Sequence, residues 1–125
     1  MRYSVIIAAL AFSAAAFCEK GKKMEVEIDV FSGRPNPKWE LSSAAGDKLA
    51  GKLKALSQKA TPAPAPGLGY RGFVIRDGSR TIRVFQGRAT VESDQPPVTY
   101  KDTNGIEADL AAEARQMGYG DLVQH

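Results

Sequence analysis

The sequence predicts an α+β domain: a two-layer sandwich in which a four-stranded, mainly antiparallel sheet carries two helices on one face, in the order strand, helix, three strands, helix. Three observations predict it. Met24, Val26, Ile28 and Val30 alternate with Glu25, Glu27 and Asp29, the period of a strand with one buried face. Two later segments, Ala45 to Leu56 and Ile106 to Met117, each carry one apolar stripe at helical spacing. Between them, short apolar runs are separated by tight turn signals, which join neighbouring strands antiparallel. Single-striped helices and single-faced strands satisfy one another best in two layers.

The chain of 125 residues suits one domain, and 43% hydrophobic with 25% charged residues is the composition of a folded protein. Its first 17 residues read as a secretory signal. Arg2 gives a positive start, Ser4 to Phe17 is apolar and alanine-rich, and Glu19 to Lys23 ends the run with charge. The run is shorter than the roughly 20 residues a spanning helix needs. A polar tether over 18–23 and a single domain over 24–125 follow, with a Pro/Ala-rich connector at 61–67. Removing Arg2 lowers the formal charge from +3 to +2, too slight to imply nucleic acid.

Cys18, the only cysteine, stands where bacterial lipoproteins carry the acceptor cysteine, so lipidation there is one expectation. Phe17 occupies a place that asks for a small residue, and Ala14-x-Ala16 offers cleavage after Ala16 instead. The expected location is therefore periplasmic or secreted, with a membrane-anchored lipoprotein as the alternative. Lipid on Cys18 would be the sole attachment to a membrane.

The strand from Met24 has a core face and an acidic face. After it, Phe31-Ser32-Gly33-Arg34-Pro35-Asn36-Pro37-Lys38-Trp39 reads as a stiff corner, because Pro35 and Pro37 fix their own φ and bias Arg34 and Asn36 towards extended conformations. Ser42 or Ser43 caps the first helix, whose stripe is Ala45, Leu49, Leu53 and Leu56. Thr61 to Gly67 cannot continue a helix and reads as an extended spacer. Strands then run over Gly72 to Arg76, Thr81 to Phe85 and Arg88 to Glu92, with turns at Asp77-Gly78-Ser79 and Gln86-Gly87. Ser93 to Tyr100 reads as a loop. The last helix starts near Thr103 or Asn104, runs through Ile106, Leu110, Ala114 and Met117, and ends at Gly118; the rest is a tail whose Leu122 and Val123 could fold back.

Enzyme signatures are mostly absent. The sole histidine, His125, ends the tail, and one cysteine with one histidine makes no thiolate or imidazole metal site, so neither a metal nor a cofactor is expected. Gly67-Leu68-Gly69-Tyr70-Arg71-Gly72 has the spacing of a dinucleotide loop but leads into a strand, so the helix N-terminus that would hold phosphate is missing. Glu25, Glu27 and Asp29 share a strand face, yet nothing supplies the apolar pocket that would separate their pKa values. Arginine is the more informative residue. Arg76, Arg83 and Arg88 lie opposite the apolar positions of the meander, with Arg71 before it and Arg80 in its first turn. They serve either cross-strand charge pairing with the acidic strand or a surface for carboxylate, phosphate or sulfate groups, with Tyr70 or Phe85 for stacking.

The block from Val26 to Trp39, followed after the proline-rich gap by Gly67-Leu68-Gly69-Tyr70-Arg71-Gly72-Phe73, resembles a group of small uncharacterised, often exported bacterial proteins with no known activity. The resemblance implies that the two blocks belong to one domain and suggests that they meet. The candidate ligand-binding set is then Arg34, Asn36, Trp39, Tyr70, Arg71 and Arg83, with the partner an envelope protein or an anionic ligand. The function expected is a non-enzymatic binding domain of the cell envelope. The alternatives are an inhibitor or immunity-like protein working through the Arg34 to Trp39 loop, and a small enzyme of unrecognised class.

Overall fold

The computed structural model describes residues 23–62 and 67–123. The signal segment, Cys18, most of the Pro/Ala connector and His125 lie outside the described residues. The class is α+β: β1 (Met24–Ile28), β2 (Lys38–Glu40), α1 (Ser43–Lys54), β3 (Phe73–Asp77), β4 (Arg80–Phe85), β5 (Arg88–Glu92), β6 (Val98–Lys101), α2 (Ile106–Gln116) and a 3-10 turn over Gly120–Val123. The strands form one antiparallel sheet in the order β2-β1-β3-β4-β5-β6.

The sheet therefore has six strands rather than the expected four. Lys38–Glu40 offers one apolar residue after two prolines, too little for a sequence pattern. Main-chain bonds make it a strand all the same: Ile28 donates to the Pro37 carbonyl at 3.0 Å and Leu41 to the Met24 carbonyl at 2.9 Å. Val98–Lys101 follows Pro96 and Pro97, which suggested a loop; both prolines lie just outside the strand, where their missing amide costs no ladder bond. The β6 edge is in turn covered by residues 58–60, through Ala60 to the Thr99 carbonyl at 2.9 Å and Lys101 to the Gln58 carbonyl at 2.8 Å.

Alternation assigns the inward positions. Val26, Ile28, Phe73, Ile75, Ile82, Val84 and Ala89 are at most 1% exposed, and they join Leu49 and Leu53 of α1 and Ile106, Leu110, Ala111 and Ala114 of α2 in one cluster. Val123 is fully buried in the same cluster, so the C-terminal segment is part of the core. Leu56 falls beyond the end of α1 and packs only partly on the core. Ser42 caps α1, its hydroxyl accepting from the Ala45 amide at 3.2 Å. The start of α2 is two or three residues later than its polar approach suggested. Gly105 takes a left-handed conformation, φ 67°, and the Asp102 carboxylate reaches over it to accept from the amides of Ile106 (2.8 Å) and Glu107 (2.9 Å).

Gly72 shows how close β4 comes to the chain entering β3. Its φ is +94°, and a Cβ there would lie 2.2 Å from the Val84 carbonyl oxygen. No side chain fits.

Candidate functional site

Strand directions bring the same end of the sheet together from four connections: the loop of residues 29–37, residues 67–72 before β3, the Gln86-Gly87 turn and the 102–105 link into α2. The two blocks singled out in the sequence meet here. The Asp29 amide donates to the Gly72 carbonyl at 2.9 Å, the Arg71 amide donates to the Asp29 carbonyl at 2.7 Å, and the Arg71 guanidinium bonds Asp29 Oδ1 at 3.0 Å and the Phe31 carbonyl at 3.1 Å. Arg71 is thus the clamp between the blocks.

The other expected site residues divide. Asn36 is a fastener: its Oδ1 accepts from the amides of Val30 (3.1 Å) and Phe31 (2.7 Å), and its Nδ2 donates to Glu27 Oε2 at 2.7 Å. Trp39 is half-buried, stacked on Tyr119 with centroids 6.1 Å apart, its Nε1 donating to Glu113 Oε1 at 2.9 Å. Tyr70 sets its ring edge-on to Phe73 and Phe85 and donates its hydroxyl to Glu107 Oε2 at 2.7 Å. Burial and that carboxylate push the Tyr70 phenol well above its ordinary range, so it stays protonated. Arg83 pairs with Glu92 at 3.3 Å on the open face. Arg34 is exposed, its guanidinium 3.9 Å above the Phe31 ring.

The face of the sheet opposite the core carries a ladder of charge. Glu25 lies directly across from Arg76, which also reaches Glu27 at 2.6 Å. Burial raises the Glu27 pKa, but the bonds from Asn36 and Arg76 and the charges of Arg76 and Lys38 outweigh it, holding the carboxyl below its ordinary value. The acidic strand is thereby neutralised from within, which accounts for Arg76 without any ligand. Beyond Arg83 the compensation stops. Arg88 faces Lys101 directly across the β5–β6 pair, and neither forms an ion pair with a described carboxylate. The carboxylates placed at this end are each occupied: Asp29 by Arg71, Asp102 by the α2 amides, Glu107 by Tyr70.

Two concavities lie elsewhere. A groove of about 290 Å³ between the helices is floored by Leu41, Leu49 and Leu110 and crossed by a Lys52–Asp109 ion pair. A cleft of about 600 Å³ opens beside Glu40, Ser42 and Asp77. Among the described residues, no group of three or more His, Cys, Asp or Glu side chains is placed to hold a metal ion. Lys101 was missed in the sequence because its strand was read as loop; Glu107 and Glu113 were legible only as polar helix positions, with no local signal of their aromatic partners. No family model matches the chain, nor does any curated protein or solved structure.

Proposed function

We propose that this chain is a non-enzymatic binding domain of the cell envelope, exported and either released or held through Cys18, that takes an anionic partner at the cationic end of its sheet. The Arg88–Lys101 juxtaposition carries the reading. Like charges directly opposite on an antiparallel pair destabilise it, and no described carboxylate relieves them. A bound phosphate, sulfate or carboxylate would supply what the fold withholds, with Arg34 at the same end of the sheet; Arg83, mid-strand and already paired with Glu92, is not needed for it. The remaining members of the sequence-derived set, Asn36, Trp39, Tyr70 and Arg71, then act by holding the loops in place. The half-buried Trp39, stacked on Tyr119, lends less support to the alternative of an inhibitor working through the Arg34 to Trp39 loop.

Titration calorimetry at low ionic strength against soluble polyphosphate, poly-glutamate and vesicles containing phosphatidylglycerol tests the reading. Binding of at least one probe, weakened by added salt and reduced tenfold or more in Arg88→Glu/Lys101→Glu, is expected. Failure of the unaltered protein to bind any of the three, or full retention of binding by the double variant, overturns it.

A further inference from the structure

Leu68 is 90% exposed, far more than Met117 at 46%, the other exposed large apolar residue among the described residues. A lone leucine on a surface needs no explanation in itself. Its setting differs from the ordinary case. It sits between Gly67 and Gly69, the latter at φ +87°, on a segment whose base is fixed immediately afterwards by Tyr70 against Phe73 and Phe85 and by Arg71 against Asp29 and Phe31. The tip is therefore held at the same end of the sheet as Arg34, Arg88 and Lys101. That end combines a projecting apolar side chain with Arg34, Arg88 and Lys101, which form no ion pair with a described carboxylate, while Asp102 and Glu107 there are held by backbone amides and the Tyr70 hydroxyl. The other end balances its carboxylates, Glu40 with Lys23, Asp77 with Arg80 and Glu92 with Arg83.

We infer that the cationic end of the sheet docks on an anionic lipid bilayer, with Leu68 entering the hydrocarbon boundary and Arg34, Arg88 and Lys101 on the headgroup phosphates. This rests on the reading above that this end takes an anionic partner, and it names the partner. A soluble polyanion offers charge but no apolar phase for Leu68. An anionic bilayer offers both within the reach of one side chain. Partitioning should gain roughly fivefold from each cation near the surface and tenfold or more from the buried leucine, which together give reversible attachment independent of any lipid on Cys18.

The test uses the full exported chain and reads position 68 itself. Leu68→Trp is mixed with phosphatidylglycerol vesicles that contain brominated lipid, with the unaltered protein as the background for Trp39. Emission from the introduced indole should shift to the blue and be quenched, and it should do neither with Arg88→Glu/Lys101→Glu added or with neutral vesicles. An indole that stays aqueous in emission and unquenched overturns the inference, as does equal quenching in neutral vesicles. If polyphosphate or poly-glutamate binds while the vesicles do not, the membrane inference fails and the anionic-partner reading stands. If no probe binds, both fail.

Discussion

Glu27 shows how one carboxylate serves two structural tasks. It receives Nδ2 of Asn36, which shapes the 29–37 loop, and the guanidinium of Arg76, which spans the sheet. Because these bonds favour the ionised form, its folded pKa lies below the ordinary 4.5 of the unfolded chain. The sign follows from linkage: the unfolded state binds the proton more readily, so this stabilisation is complete above about pH 4.5 and is lost as pH falls through the lower folded value. Glu27→Gln should therefore be less stable than the unaltered protein at neutral pH. The difference should shrink as the pH drops below 4.5, with urea midpoints at several pH values as the measurement. Asn36 was singled out in the sequence for a loop that its own side chain shapes. A short amide beside two prolines is legible as special, whereas its three partners, five to nine residues away in sequence, are not.

At the scale of elements, legibility followed periodicity. The strand from Met24, the three-stranded meander and both helices repeat every two or three to four residues over several turns, and all are present. The two edge strands are three and four residues long, and each follows a proline. They exist because a neighbour's main chain holds them, which no local pattern encodes. The start of α2 was displaced for a related reason. Its cap is supplied by Asp102, four residues before Ile106, rather than by the residue adjoining the helix. That carboxylate satisfies two otherwise orphan amides and complements the helix dipole. Asp102→Ala should cost about 1–2 kcal/mol in urea unfolding, and Asp102→Asn, which keeps one acceptor, should cost less.

Among the described residues, an early strand and the late part of the chain meet. Trp39, from the first third of the chain, stacks on Tyr119 and bonds Glu113, and four residues beyond Tyr119 the chain buries Val123 completely. The tail was legible only as a sequence that could fold back, since one valine and one leucine among polar residues set no period. Its role depends on the core having a vacancy between β-sheet and helices that nothing local to residues 119–123 describes. The consequence can be measured. Removing two methyl groups from Val123 takes away buried apolar area and leaves a void, so Val123→Ala should lower stability by roughly 1.5–3 kcal/mol. Asp121→Ala, two residues earlier and exposed, should change it by no more than about 0.5 kcal/mol. Because Val123 packs in the core rather than at the cationic end, the polyphosphate affinity of the folded Val123→Ala protein should be unaltered. A large loss of affinity without loss of stability would mean that the tail, and not the end of the sheet, forms the contact surface.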